Sequence, residues 1–418
     1  MKEEWLHFIW KMKRLPINLK TKKGESIEII HPGSNNKDSG PDFFEASIRI
    51  NNLLWSGNVE IHIRSSDWLK HKHQFDDAYN NVILHVVYIH DMEVSVNSEI
   101  IPVLELNKFI PKEELDKIGV LFENQNTIAC ASQWNLVPTI IKHKEIESAF
   151  FRRLERKSIS IVNRLSELNN DIMRLKLELL GRIIASKVNE LPMIELLSRV
   201  SSSILFRLST DQRIALLLGV SGLIPIESED NYVINLKKEA DYLIIKYNLT
   251  VMNRSSWKFF GCRPPAYPTL RIVIFALLIE DEFLLKDFEN KKLMLDWTEN
   301  KILEFPDFWK NKTHFKDSNN KKTNSLSKEL KTLIIINFVI PFAFWKYSTT
   351  NEIELLEELI ELANELPPEK NAKVQKFKKL GQKTKSIFET QGLLELLNDF
   401  CVNKRCLNCQ IGVKLLNS

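Results

Sequence analysis

The chain has 418 residues, of which 44% are hydrophobic and 27% charged; these values are ordinary for a globular protein and exclude a largely disordered chain. The net charge of +4 permits a local basic groove but does not by itself indicate a nucleic-acid partner. The longest apolar run, 332–345, is too short to span a bilayer and contains Asn337 and Pro341, so we expect no membrane segment.

Cysteine content and the start of the chain favour an intracellular protein. Five cysteines, three of them close to the C-terminus, do not resemble the disulfide framework of a secreted protein. The N-terminus carries Glu3 and Glu4 where a signal peptide needs basic residues before an apolar stretch. We therefore expect a cytoplasmic protein, and its length favours two domains.

The first hundred residues predict one helix followed by several strands. Residues 4–12 place apolar side chains at helical spacing. Apolar and polar residues then alternate in three segments that we predict to be strands, 26–31, 43–50 and 53–64. A tight turn at Asn51-Asn52 would join the last two strands in a β-hairpin. The β-branched residues of 81–90 predict a further, buried strand, and 100–106 predict another.

The remainder of the chain predicts helices. From about residue 143 onward, Leu, Ile, Glu, Lys and Arg recur with a period of 3.6, as in 144–168, 173–188 and 353–366. The predicted fold class is therefore α+β. An N-terminal mixed β-sheet domain with flanking helices, at 1–125, would precede a mainly α-helical domain at 140–418 that ends in a cysteine motif.

Histidines and carboxylates concentrate in the predicted sheet. Asp42 begins one hairpin strand, and Glu60 and His62 lie near the end of the next, where they share a face. With the turn at 51–52, Asp42 would lie level with Ile61, so it joins that face only if the register shifts by one residue. We place this shift as a β-bulge at Ser56-Gly57. Seven of the nine histidines lie in the first ninety residues: His7, His31, His62, His71, His73, His85 and His90.

Two carboxylates at the end of a strand suit a hard divalent cation, Mg²⁺ or Mn²⁺, which prefers oxygen ligands. Such an ion lowers the pKa of a bound water and stabilises the charge that builds on a phosphate. Asp42 and Glu60 are therefore candidate metal ligands, and Asp42, Glu60 and His62 are candidate catalytic residues. His62 would orient or deprotonate the water, or bind the metal itself.

The other histidines leave several interpretations open. His71 and His73 with Asp76-Asp77 could form a second metal cluster, although a solvated loop is the commoner explanation for such a segment. His71 and His73 could instead form the zinc site of a hydrolase with His62. His85 lies in an otherwise apolar strand, where a hydrogen-bonded core histidine is more common than a metal ligand.

Pro41-Asp42 and Glu60-Ile61-His62 resemble the PD-(D/E)xK nuclease superfamily, in which Pro-Asp opens one hairpin strand and Glu-x-Lys closes the next. The resemblance implies a restriction-endonuclease-like fold and a metal-dependent nuclease that acts on DNA. The chain departs from the pattern at His62, which stands where the superfamily has lysine. Because histidine is not a permanent cation near neutral pH, the alternative is a degenerate, non-catalytic scaffold that binds nucleic acid or protein.

A resemblance over nearly the whole chain concerns the bacterial family known as domain of unknown function 2851, for which no activity is implied. The resemblance rests on these sequence motifs: His31-Pro-Gly, Gly40-Pro-Asp-Phe-Phe, Gly57-Asn-Val-Glu-Ile-His, Ser66-Asp-Trp, Asn81-Val-Ile-Leu-His-Val-Val, Arg263-Pro and Lys404-Arg-Cys-Leu-Asn-Cys-Gln-Ile-Gly.

Three thiols near the C-terminus, Cys401, Cys406 and Cys409, are one short of a four-ligand zinc or iron–sulfur site. Cys262 or Cys130 could supply the fourth ligand. The alternative is that all of them are reduced thiols in a C-terminal helix and turn.

One segment in the helical part combines aromatic and basic residues. Trp257, Arg263 and Arg271 could stack on bases and hold phosphates, which makes them candidates for binding nucleic acid. Packing at a helix junction is the competing explanation. The oligomeric state is not predicted.

Overall fold

The structure is a computed structural model, and it describes residues 2–36, 39–97, 99–110, 119, 126–286, 288, 291–317 and 324–416. The chain forms two compact units. The first comprises Met1–Glu145 together with Leu397–Ser418, and the second comprises Ile146–Leu396. The predicted end of the first domain, residue 125, lies outside the described residues. The C-terminal segment, which we assigned to the helical domain, groups with the N-terminal unit.

The first unit is built around a mixed β-sheet. Its elements in chain order are α1 (Glu3–Lys11), β1 (Leu19–Lys20), β2 (Ser26–His31), β3 (Ser34–Asn35), β4 (Phe43–Ile50), β5 (Leu53–Arg64), α2 (Asp67–Lys70), β6 (Val82–Ile89), β7 (Ser95–Val96), β8 (Glu99–Ile100) and β9 (Val103–Glu105). Among the described residues the sheet has the order β1-β2-β4-β5-β6-β9, with β3 paired to β4 and β7-β8 forming a separate ladder.

The pairing of the strands explains their sequences. β2, β4 and β5 are antiparallel neighbours, and in β4 the alternation buries Ala46, Ile48 and Ile50 on one face. β6 runs parallel to both of its neighbours, β5 and β9. Six consecutive residues of β6 are buried, as expected for a central strand covered on both faces. The prediction of a mixed sheet is thereby confirmed.

The β4–β5 pair contains the predicted one-residue shift, but the bulge is on the other strand. Ala46 pairs with Gly57, whereas Phe43 pairs with Val59, so β4 advances three residues while β5 advances two. Glu45 has a φ of +57°, and this left-handed turn of the backbone accommodates the extra residue. The prediction of a bulge at Ser56-Gly57 is therefore wrong. The predicted effect of the register shift nevertheless occurs, because Asp42 lies opposite Glu60 across the strand pair.

Gly57 has a different structural role. A Cβ atom added to Gly57 would lie 2.4 Å from Ile83 Cγ2 and 2.7 Å from the carbonyl oxygen of Asn81. The adjacent N–H of Asn58 donates to that same oxygen over 2.8 Å. Gly57 therefore allows β5 to approach the beginning of β6 closely, and this approach sets the parallel register.

The remaining helices are α3 (Thr139–Glu167), α4 (Ile172–Ala185), α5 (Glu190–Arg199), α6 (Ser202–Arg207), α7 (Thr210–Val220), α8 (Asn231–Lys246), α9 (Pro268–Leu278), α10 (Glu282–Leu285), α11 (Lys291–Asn300), α12 (Asp307–Lys310), α13 (Lys328–Thr350, with a π-helical segment at Ile335–Val339), α14 (Ile353–Glu365), α15 (Ala372–Lys379), α16 (Ile387–Glu395) and α17 (Gln410–Leu416). The chain is therefore α+β, with a mainly helical part after the sheet.

The second unit has its own core. Leu216, Phe275 and Ile334, from three different helices, are fully buried there. Among the described helices, α13 is long and apolar enough to cross a membrane, but 67% of its apolar window is buried inside the protein. Burial to this extent is typical of a helix in a protein core.

Candidate functional site

The structure brings Asp42, Glu60 and His62 together at the β4–β5 pair. The backbone N–H of Asp42 donates to Glu60 Oε2 over 3.0 Å, and the N–H of Ile61 donates to Asp42 Oδ2 over 2.9 Å. Glu60 Oε1 lies 3.4 Å from His62 Nε2. The alternation of β5 puts Val59 and Ile61 on one face and Glu60 and His62 on the other, where both are buried.

Helix α1 adds two residues that the sequence analysis did not assign to this site. Glu3 and His7 are four residues apart, so they lie on the same face of the helix. His7 Nε2 is 3.3 Å from Asp42 Oδ2, and ligand atoms of Glu3, His7 and Asp42 all lie within 4.8 Å of one another. The i, i+4 pairing was visible in the sequence, but its proximity to Asp42 depends on how the helix packs on the sheet.

Burial and crowding perturb the acids of this group. Burial, together with the negative charge of Asp42, raises the pKa of Glu60 to about 9. The same two causes, in the same order, raise the pKa of Glu3 to about 7. Burial lowers the pKa of His7, but the hydrogen bond and charge of Asp42 outweigh it, so that the pKa is raised. Crowded, poorly solvated carboxylates of this kind are stabilised when a cation neutralises them.

On the other side of Glu60 four histidines converge. The parallel register places His85 of β6 beside Glu60, and His85 Nε2 lies 2.9 Å from His62 Nδ1. His71 Nδ1 is 3.1 Å from His62 Nε2, and His73 Nε2 is 3.3 Å from Glu60 Oε1. Ligand atoms of His62, His71 and His73 all lie within 4.8 Å of one another. His62, His71, His73 and His85 are called the histidine cluster below.

The crossover from β5 to β6 positions two members of the histidine cluster. His71 ends α2, and His73 begins a short 3₁₀ turn. Lys72 between them has a φ of +63°, and this left-handed residue redirects the chain. His73 stacks on Tyr79, with ring centroids 3.8 Å apart. The segment that sequence analysis favoured as a solvated loop therefore packs its imidazoles against the site.

The histidine cluster is partly open to solvent. His62 is 1% exposed and His85 is fully buried, whereas His71 is exposed. Burial, reinforced by the neighbouring imidazoles, lowers the pKa of both His62 and His85 to about 3. Burial also lowers the pKa of His73. The buried imidazoles are therefore neutral at neutral pH, and His62 does not supply the positive charge that a lysine would.

A cleft of about 950 Å³ in the first unit reaches the site at His7, whereas Glu3, Asp42 and Glu60 do not line it. His7 lines this cleft, and its imidazole contacts Asp42. The charged residues that line the cleft are mostly basic: Lys2, Lys11, Lys404, Arg405 and Lys414, with Glu4 as the acid. This cleft is called the basic cleft below. A cleft whose lining charges are mostly positive concentrates anions.

The cysteines fall into two groups. Cys401, Cys406 and Cys409 lie in the first unit with Cys130, and all five cysteines are free. Burial, followed by the nearby thiols of Cys130, Cys409 and Cys406, raises the pKa of Cys401. Cys262 lies in the second unit, where its thiol contacts the carbonyl oxygen of Lys258 at 3.5 Å. Of the two candidates for a fourth ligand, Cys130 is the one that lies near the C-terminal thiols.

The residues considered for nucleic-acid binding in the second unit differ in accessibility. Trp257 is 5% exposed, and its Nε1 donates to the carbonyl oxygen of Ser221 over 3.0 Å. Its ring is therefore part of the core in this conformation. Arg263 is exposed at the start of a 3₁₀ turn. Burial lowers the pKa of Arg271 to about 10.

Comparison with known proteins identifies the family. The family model described as protein of unknown function (DUF2851) matches residues 3–372, and the chain belongs to this family. No curated protein and no solved structure matches the chain.

Proposed function

We propose that the chain is a divalent-metal-dependent phosphodiesterase that cleaves nucleic acid, with DNA as the leading substrate. The observation that carries this proposal is the convergence of Asp42 and Glu60 beside a basic cleft. Each carboxylate uses one oxygen to accept a backbone hydrogen bond, Oδ2 in Asp42 and Oε2 in Glu60. Glu3 and His7 enlarge the group of potential ligands.

Residues of the site fit Mg²⁺ or Mn²⁺ in charge and ligand type, because these ions prefer carboxylate oxygens. A bound divalent ion would lower the pKa of a water and stabilise the charge that develops on the phosphate. Asp42 and Glu60 would hold that ion, while Lys2, Lys11 and Arg405 of the basic cleft would orient the anionic backbone. The order of elements, α1 followed by β2, β4, β5, α2 and β6, supports a restriction-endonuclease-like core.

Purified protein incubated with single-stranded and duplex DNA and RNA tests the proposal, with Mg²⁺ or Mn²⁺ added after chelation. We expect metal-dependent cleavage that disappears in Asp42→Asn and Glu60→Gln. Glu28→Gln is the matched control, because Glu28 is an exposed carboxylate of the same sheet that pairs with Arg49. Equal cleavage by the wild-type protein and the two site variants would assign the activity to a contaminating enzyme.

One observation favours a non-catalytic scaffold as the second candidate. His62 occupies the position of the superfamily's lysine, and its buried imidazole is neutral. The scaffold would bind nucleic acid or protein without turnover. Binding of labelled DNA that is equally strong in the wild-type protein and in Asp42→Asn, without cleavage in either metal, supports this candidate over the enzyme.

A further inference from the structure

The histidine cluster offers nitrogen ligands, which a hard ion bound by Asp42 and Glu60 does not require. We propose that His62, His71 and His73, together with Glu60, form a binding site for a transition-metal ion such as Zn²⁺. The ligand atoms are Nε2 of His62, Nδ1 of His71, Nε2 of His73 and Oε1 of Glu60. Imidazole ligands suit zinc, copper, iron and nickel better than magnesium. The proposal concerns metal binding and does not depend on nuclease activity.

Three separations between these atoms are close to those of ligands on one ion, and the ligand atoms of His62, His71 and His73 all lie within 4.8 Å of one another. His62 Nε2 lies 3.1 Å from His71 Nδ1 and 3.4 Å from Glu60 Oε1. The distance from His73 Nε2 to the same Glu60 oxygen is 3.3 Å. A tetrahedral ion with bonds of about 2.0–2.1 Å holds its ligands about 3.3–3.4 Å apart. These three pairs of atoms are therefore already near the spacing that such an ion imposes.

The hydrogen bonding of the imidazoles provides a second, independent observation. His73 Nε2 is buried without a hydrogen-bond partner although it lies near Glu60. A buried polar atom left unpaired destabilises the fold, and a metal bond would satisfy it. His62 Nδ1 has its own partner in His85 Nε2 at 2.9 Å. A ligating histidine characteristically donates its other N–H in this way, which fixes the ring orientation and directs the second nitrogen to the metal.

The surroundings allow binding and entry of an ion. The stacking of His73 on Tyr79 restricts the imidazole before an ion arrives. His71 is exposed, so the site has a side that opens to solvent. Glu60 directs Oε2 towards Asp42 and Oε1 towards the histidines, so one carboxylate borders both candidate metal sites.

Cobalt and zinc titration of the chelator-treated, full-length protein tests the site. We expect one equivalent of Co²⁺ to give the intense visible absorption of a tetrahedral ion, and Zn²⁺ to displace it while Mg²⁺ does not. His71→Gln should weaken binding at least tenfold, and the double variant His71→Gln/His73→Gln should abolish it. His143→Gln is the matched control, because His143 is an exposed histidine outside the cluster.

Two features keep this test decisive. His71 is exposed, so His71→Gln is expected to fold, and an unchanged circular dichroism spectrum checks that directly. The C-terminal cysteines could also bind cobalt, but thiolate ligation produces a sulfur-to-cobalt charge-transfer band that the histidine variants should leave unchanged. Equal tetrahedral absorption in the wild-type protein and the double variant would overturn the proposal, as would a wild-type protein that gives no such absorption.

Discussion

Asp42 and Glu60 are fixed to each other across the β4–β5 pair, because the backbone N–H of Asp42 donates to Glu60 Oε2 over 3.0 Å. This bond requires the bulge at Glu45, which shifts the register by one residue and moves Asp42 level with Glu60. The geometry places a second acid next to a carboxyl that burial already discourages from ionising. Metal-free protein therefore carries an electrostatic cost at this site that a cation would relieve.

The first prediction concerns the pH dependence of stability without metal. The folded protein keeps a proton on Glu60 up to its pKa of about 9, whereas the unfolded chain releases it near the ordinary value of 4.5. The unfolded state therefore binds fewer protons between these values, and the free energy of unfolding should fall as the pH rises through this window. Urea unfolding in the presence of a chelator, at about pH 5 and about pH 8, measures the decline.

Glu60→Gln supplies the control for this pH dependence. Its amide cannot ionise, so the decline with pH should be shallower, and the variant should gain stability relative to the wild-type protein at the higher pH. Glu3 contributes with the same sign up to a pKa of about 7, so part of the decline remains. A wild-type protein and variant with parallel pH profiles would show that Glu60 ionises normally in the fold.

The second prediction concerns Gly57. Gly57→Ala would introduce a methyl group 2.4 Å from Ile83 Cγ2, and the nearby carbonyl oxygen of Asn81 belongs to the backbone and cannot turn aside. We expect a loss of about 1–3 kcal/mol in the free energy of unfolding, the usual cost of overpacking. Ser56→Ala, at the exposed neighbouring position, is the control and should change stability little. Similar unfolding midpoints for both variants would show that β5 and β6 separate easily.

Much of the sheet could be predicted from the sequence because it depends on local alternation. The predicted segments 26–31, 43–50 and 53–64 coincide with β2, β4 and β5. The position of the bulge could not be predicted in the same way. Ser56-Gly57 resembles a bulge sequence, but the glycine is explained by close packing against Ile83, and the left-handed residue is Glu45. The local sequence does not distinguish a glycine that marks a β-bulge from a glycine that permits close packing between strands.

The sequence predicts the proximity of the site residues that share one hairpin, and it offers His71 and His73 as one of several alternatives. Asp42, Glu60 and His62 follow from strand alternation, whereas His7 reaches Asp42 through the packing of α1 on the sheet. His73 lies near Glu60 after the chain turns at Lys72, and the left-handed conformation of this lysine could not be predicted from the sequence. Contacts of this kind arise from tertiary packing and have no periodic signal in the sequence.

The third prediction concerns the basic cleft. Lys2→Ala/Lys11→Ala should weaken DNA binding and reduce its salt dependence, because the slope of log affinity against log salt falls by about 0.9 for each phosphate of duplex DNA that the protein no longer neutralises. Fluorescence anisotropy at several salt concentrations measures both quantities. Lys23→Ala, an exposed lysine of the same unit outside the cleft, is the control. Unchanged affinity and slope in the double variant would place any nucleic-acid surface elsewhere.

The fourth prediction concerns the cysteines, for which a zinc or iron–sulfur site remains a proposal. If the C-terminal thiols bind metal with Cys130 as fourth ligand, Cys130→Ser and Cys406→Ser should each lower the zinc or iron content of the purified protein. Cys262→Ser should not, because Cys262 lies in the second unit. Elemental analysis of anaerobically purified protein gives the content and identifies the metal. Equal metal content in all three variants would indicate reduced, unligated thiols.

The last prediction concerns His85, which is not a proposed zinc ligand but forms a hydrogen bond with His62. Its Nε2 lies 2.9 Å from His62 Nδ1, so it acts as the partner that orients the ligating ring. His85→Phe leaves every proposed ligand in place but removes this acceptor, and we expect zinc affinity to fall about 10–100-fold. His85→Gln provides a side-chain carbonyl that can accept from His62, so its loss should be smaller. Competition with a chromophoric chelator measures the affinities, and melting curves of the metal-free variants check folding. If both variants fold and bind zinc as tightly as the wild-type protein, His85 has no part in positioning the ligand.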